Sequence, residues 1–217
     1  MTENLLAAIR FSEEIRVANS RFIATVSPAF TIEEAKLFIK ETKNKYRDAT
    51  HNVPLYLIGF GSTVIAHSSD DGEPSGTAGR PALAVLKGSG LGDTAMVITR
   101  YFGGTKLGTG GLVKAYSNSA RKVIDSVPKA KKVRVHQCQI ICPYNVYELI
   151  SREISKHHGI VNNEVFLDRV TLNFAIQNSS YSQLNNAIIE LSHGKIHTEI
   201  IKEDQAAIIP ILHRENN

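Results

Sequence analysis

"KKVRVHQCQIICPYNVYELISREISKHHG", Lys131 to Gly159, changes its hydrophobic period once. Up to Cys142 it is rich in β-branched residues and alternates, the pattern of a strand. From Tyr144 on, Val146, Leu149, Ile150 and Ile154 recur at helical spacing, and Gly159 is a residue suited to the position just past a helix end. Downstream, "IVNNEVFLD" and "RVTLNFAIQ" read as two strands abutting through Asp168 and Arg169. "SSYSQLNNAIIELSHG" then places Tyr181, Leu184, Ile188 and Leu191 on one helical stripe ending at Gly194, and "KIHTEIIKE" and "AAIIPIL" supply the closing strand or strands. The order βαββαβ folds most simply as a four-stranded antiparallel sheet with both helices on one face, the ferredoxin-like arrangement.

This half does not read as a base-specific RNA binder. An RNA-recognition domain needs aromatic residues on a central strand for stacking, and "RVTLNFAIQ" offers only Phe174. Cys138 and Cys142 would share a strand face but stand ~13 Å apart, too far for a disulfide. They are expected to be free, buried thiols. His157, His158, His193 and His197 flank helix ends and are expected at the surface, where a C-terminal partial negative charge favours them.

Upstream, "DSVPKAKKVR" is polar, lysine-rich and contains Pro128. It sets a boundary near Ala130, between domains over residues 1–129 and 130–217, with Lys129, Lys131, Lys132 and Arg134 read as a solvated linker. A chain of 217 residues accommodates two such domains. Hydrophobic residues at 42% and charged ones at 21% match a folded soluble protein, and no apolar run is long enough to span a bilayer, so no membrane partner is expected. The start, "MTENLLAAIRFSEE", lacks the features of a signal peptide, which places the protein in the cytoplasm. A net charge of +4 permits an anionic partner without demanding one.

In the first half, "FSEEIRVANSRFIATVSP" reads as one or two strands broken near Asn19 and Ser20. Thr31 and Glu34 form a capping box ahead of a helix burying Ile32, Ala35, Phe38 and Ile39. "VPLYLIGF" and "STVIAHSS" are strands around a turn at Gly59 to Gly61, "AGRPALAVLKG" is a short helix with Pro81 in its first turn, and "DTAMVITRYF" is a buried strand. "GGLVKAYSNSARKVIDS" is a helix with Leu112, Ala115, Tyr116, Ser119, Ala120 and Val123 on one side.

Two loops lead into helix N-termini. In "RYFGGTKLGTGGLVKAY", Gly103, Gly104, Gly108, Gly110 and Gly111 precede a helix expected to begin near Gly110. Arg100 and Lys106 flank them, a composition that can hold an anion on open backbone N–H groups. For any one of these glycines, a sharp turn needing positive φ is the commoner explanation. Neither a Walker loop nor a dinucleotide fingerprint fits, because Lys106 precedes Leu107 and Gly108 and "GTGGLV" lacks a third glycine at its spacing. In "SSDDGEPSGTAGRP", Asp70, Asp71 and Glu73 must be solvated, paired with cations such as Arg80, Arg100 and Lys106, or ligate metal. An EF-hand is excluded by spacing; a Mg²⁺ site built from these carboxylates and a substrate phosphate stays open, beside a capping and turn role shared with Ser75 and Thr77. His51 could serve as acid or base if brought near them, or be a structural histidine. A serine nucleophile elbow is absent.

These motifs, with "SRFIA" and "DATHNVPLYLIG", resemble the IMPACT/YigZ family, formerly an uncharacterised protein family, across most of Ser20 to Tyr116. The resemblance implies an α+β chain: a first domain of the ribosomal-protein-S5 domain-2-like fold and a ferredoxin-like second domain similar to one of elongation factor G. It further implies a translation-linked regulator. Eukaryotic relatives bind a co-activator of an initiation-factor kinase, and bacterial ones are associated with nucleic acid or the ribosome. Many members carry cysteine at the Val53 position; valine there removes any thiol mechanism. A dipeptidase label borne by some relatives finds no matching set of metal ligands. The expected function is therefore regulatory binding of RNA phosphate, the ribosome or a translation-related protein through the two loops, with no resident cofactor. The alternative is a Mg²⁺-dependent hydrolase or transferase acting on a phosphorylated metabolite, with His51 as acid or base.

Overall fold

The computed structural model describes residues 4–211; Met1–Glu3 of the expected leaderless start and Leu212 of the expected closing strand lie outside them. The chain is α+β and forms two compact units, one running to Lys131 and resuming at Ile208, the other Lys132–Ala207.

In the first unit, β2 (Phe11–Val17) and β3 (Ser20–Pro28) form a hairpin whose turn residues Ala18 and Asn19 have φ of 44° and 66°. Successive left-handed residues are what a two-residue hairpin turn requires. These strands join β4 (His51–Ile58), β5 (Ile65–Ser68) and β6 (Thr94–Tyr101) in an antiparallel sheet of order β2-β3-β6-β4-β5. At the start of helix α1 (Ile32–Lys45), Glu34 N–H donates to Thr31 Oγ1 at 3.1 Å, the forward half of the expected capping box, while the Glu34 carboxylate accepts from the Phe30 N–H at 2.7 Å, one residue before the N-cap.

Alternation in β4 and β6 divides the core. Tyr56, Ile58, Ala95 and Val97 pack with Ala35 and Phe38 of α1. Val53, Leu55, Leu57, Met96 and Ile98 pack with α2 (Gly79–Gly88) and α3 (Gly108–Ser126). Because successive side chains point to opposite faces, His51 follows the parity of Val53, and Arg100 that of Met96 and Ile98. The two also stand opposite each other in register.

A short β1 (Leu5–Ala7) pairs with Lys129–Lys131, the first residues of β7 (Lys129–Cys142). This corrects the linker expectation: Lys129, Lys131, Lys132 and Arg134 lie in one continuous strand, Ala130 is fully buried, and Arg134 is paired with Asp204. Lysine-rich composition resembled a linker because a strand also accommodates long cationic side chains, whose stems are partly buried while their charged ends reach solvent.

The second unit follows the expected order through α4 (Tyr144–Lys156), β8 (Ile160–Phe166), β9 (Val170–Gln177), α5 (Asn178–Leu191) and a single closing strand β10 (Glu199–Pro210). Its strands lie in the order β10-β7-β9-β8. Ile150, Ile154, Leu184 and Ile188 of the helices cover Cys138, Ile140, Leu172 and Phe174. Two details differ from expectation. Leu149 is exposed, off the buried stripe. The left-handed residue after α4 is His158, φ 60°, while Gly159 is required for space, since a Cβ there would meet Ile154 Cγ2 at 2.6 Å. Both cysteines are free and buried, and burial pushes the Cys138 thiol up to about 11.

Candidate functional site

The acidic loop between β5 and α2 assigns each carboxylate a different partner. Asp70 accepts three backbone N–H bonds, from Gly76 at 2.8 Å, Ala78 at 3.1 Å and Gly79 at 2.8 Å. It therefore caps α2, whose own N-cap residue, Ala78, has no side-chain oxygen to do so. Burial works to raise the Asp70 carboxyl, but the Gly76, Gly79 and Ala78 N–H groups, with the charge of Arg80, together hold it below the usual aspartate range. A depressed folded value means that the stabilisation is complete above the unfolded value and disappears as pH falls through the folded one. Asp70→Ala should cost about 1 kcal/mol, within the range of about 0.5–2 for a lost cap. In urea denaturation at a series of pH values, the deficit of the variant should shrink in acid.

Asp71 takes a left-handed conformation, φ 48°, ahead of Gly72 at 87°. That turn aims its carboxylate at Lys43 Nζ, 2.5 Å, and the Asn52 N–H, 2.7 Å, while its carbonyl oxygen lies 2.7 Å from His51 Nδ1. Lys43 is 28 residues away in sequence and belongs to α1, so no local pattern announced it.

Glu73 is buried, with Oε1 accepting from Arg100 Nη1 at 2.6 Å and from the Tyr116 hydroxyl at 2.8 Å. Arg100 is 5% exposed and its guanidinium sits over the rings of Phe22 and Phe102 at 5.4 and 5.5 Å. Burial and the Glu73 charge both drive the Tyr116 phenol upward, so it stays protonated and donates. The sequence placed Tyr116 on the buried stripe of α3; a buried tyrosine needs a partner for its hydroxyl, and that was the available signal for this bond. His51 Nε2 lies 3.8 Å from Glu73 Oε1.

The expected cations distribute unequally. Arg100 joins the carboxylates, Arg80 is exposed beside Asp70, and Lys106 is exposed at the glycine-rich loop. Ser75 is exposed and Thr77 donates its hydroxyl to the Pro74 carbonyl at 2.7 Å, as turn chemistry predicts. Of the glycines, Gly104 and Gly108 have positive φ, 85° and 70°. Gly103 is needed for close approach: its N–H donates to Ser20 Oγ at 3.2 Å, and a Cβ would stand 2.1 Å from the Asn19 carbonyl. A Cβ on Gly110 meets nothing within 4 Å, and one on Gly111 meets Leu107 Cβ at 3.0 Å. Helix α3 begins at Gly108, two residues before the expected Gly110, and its N-cap Leu107 provides no side-chain cap.

These elements enclose a cleft of about 410 Å³ lined by His51, Glu73, Arg100, Lys106 and Gly108, with Phe102, Leu107 and Leu112 as apolar walls. The two distant loops thus meet around one cleft, through Glu73 and not through Asp70 or Asp71, whose carboxylates are engaged elsewhere. Among the described residues no group of three or more His, Cys, Asp or Glu is placed to hold a metal ion, and no helix is long and apolar enough to cross a membrane.

Residues 18–124, which contain the whole cleft, match the Impact N-terminal domain, and residues 140–195 match a domain of unknown function, DUF1949. The chain is 35% identical to the IMPACT family member YvyE of Bacillus subtilis, over 84% of this chain and 83% of that protein. It is 31% identical to the IMPACT family member YigZ of Escherichia coli, over 91% and 96% respectively. A crystal structure described as a hypothetical protein matches with a TM-score of 0.59 at 30% identity, covering 94% of this chain and 99% of that one.

Proposed function

The chain belongs to the IMPACT family, and from that premise we propose that it is a translation-associated regulatory binding protein whose cleft receives RNA phosphate. The observation that carries this reading is the convergence of Lys106, Arg100 and the uncapped start of α3 on one cleft. Open N–H groups and the positive end of a helix attract a phosphate, and the Glu73 charge, being paired with Arg100, does not repel it. The finer fold assignments belong to the same proposal. The order β10-β7-β9-β8 with two helices fits a ferredoxin-like second unit, similar to a domain of elongation factor G, and we read the first unit as S5-domain-2-like. The Mg²⁺-dependent alternative is less well supported, because Asp70 and Asp71 already spend their oxygens on backbone N–H groups and Lys43.

Binding to single-stranded RNA should fall steeply with salt. Lys106→Ala should weaken it and reduce the slope of log affinity against log salt by roughly one charge. Absence of RNA association at low salt, with retention of an acidic translation factor instead, would transfer the cleft to a protein partner.

A further inference from the structure

Acceptors of hydrogen bonds meet at the inner end of this cleft. Glu73 Oε1 is saturated by Arg100 and Tyr116, but Oε2 accepts a bond from none of the described residues, although Glu73 is 93% buried and lines the cleft. That oxygen is not one of the buried polar atoms without a partner, so it is reached from the cleft and can accept from a guest there. His51 contributes a second acceptor. Its Nδ1–H is committed to the Asp71 carbonyl at 2.7 Å, which in the neutral ring leaves the lone pair on Nε2. Nε2 and Glu73 Oε1 are 3.8 Å apart, too far to bond each other, so the histidine and the carboxylate stand as separate neighbouring acceptors for adjacent hydroxyls.

The outer end has the opposite character. Lys106 and the first N–H groups of α3 are donors suited to an anion, and Phe102, Leu107 and Leu112 add apolar lining to the same cleft. Phe102 is 46% exposed, leaving ring surface available for stacking. A ligand that fills this cleft therefore carries an anion, a flat or apolar part and hydroxyl donors.

We propose that the cleft is a ribonucleotide site, in which Glu73 Oε2 and His51 Nε2 accept the ribose hydroxyls of a single-stranded RNA whose phosphate lies at Lys106 and the start of α3. The inference rests on the RNA-phosphate reading above and adds to it a means of telling RNA from DNA. A 2′-hydroxyl is the donor that DNA lacks, and a carboxylate acceptor for it is an established solution in ribose recognition. Single-stranded nucleic acid is required, because a base can stack on Phe102 only when it is free of its own helix.

The test compares one short single-stranded sequence prepared as RNA, as DNA and as 2′-O-methyl RNA, with fluorescence anisotropy at fixed low salt. A hydroxyl bonded to a charged acceptor should make the RNA bind about tenfold more tightly than either of the other two. His51→Ala should narrow the ratio of RNA to DNA affinity, whereas Lys106→Ala should weaken both and leave the ratio unchanged. Equal affinity for RNA and DNA, both still salt-dependent, would overturn the hydroxyl assignment and leave phosphate binding standing. Lack of binding by all three would remove both.

Discussion

Glu73→Ala should destabilise the first unit by about 3–5 kcal/mol, the cost of leaving a buried charge without its partner. Arg100 would remain 5% exposed between Phe22 and Phe102 with no carboxylate, and the Tyr116 hydroxyl would lose its acceptor in the same step. Urea denaturation followed by far-UV circular dichroism measures the loss. Because replacing a whole buried ion pair with apolar side chains is often near neutral, Glu73→Leu combined with Arg100→Met should recover much of it. A cost below about 1 kcal/mol for the single substitution, the size of an exposed pair, would mean that water reaches Arg100 and that the pair is not a buried one.

Gly103→Ala should rank next, at about 3 kcal/mol, the upper part of the range for overpacking. Its new methyl would fall 2.1 Å from the carbonyl carbon and oxygen of Asn19 and 2.5 Å from the Ser20 nitrogen. All three are backbone atoms of the β2–β3 hairpin, so no rotamer change relieves the clash. Gly104 is the control on the adjacent position. It has open space around it and a φ of 85°, so Gly104→Ala should cost only about 1–2 kcal/mol, the left-handed penalty for a residue with a Cβ. Thermal melts of the two variants should therefore separate clearly, and equal shifts would contradict the packing argument.

The contrast between these two glycines marks how far the sequence could be read. Positive φ was the expected reason for the glycines of this loop, and it applies at Gly104 and Gly108. Close approach to Asn19 at Gly103 depends on a strand pairing, Arg21 with Tyr101, that spans 80 positions of chain. Such pairings leave no local signature. The second unit was easier, because its order of elements follows from hydrophobic periods alone, and Ile150, Ile154, Leu184 and Ile188 are buried as that spacing requires. The basic run at Lys129 to Arg134 looks alike in a strand and in a linker, and the distinction lies in pairing with distant residues, as Leu5, Leu6 and Ala7 pair with Lys131, Ala130 and Lys129. For the acidic loop, the sequence foretold that three neighbouring carboxylates must be solvated, paired with cations or bound to metal. It could not tell that Asp70 would cap a helix, Asp71 reach α1, and Glu73 alone turn toward the cleft.

The unequal burial of Lys106 and Arg100 divides the kinetics of any anionic guest. An exposed rim charge acts over a distance set by ionic strength, so Lys106 governs how often an encounter succeeds. The paired, desolvated guanidinium below it sums with Glu73 to no net charge and is felt only on contact, so the inner end governs residence time. Arrival should respond to salt and departure hardly at all.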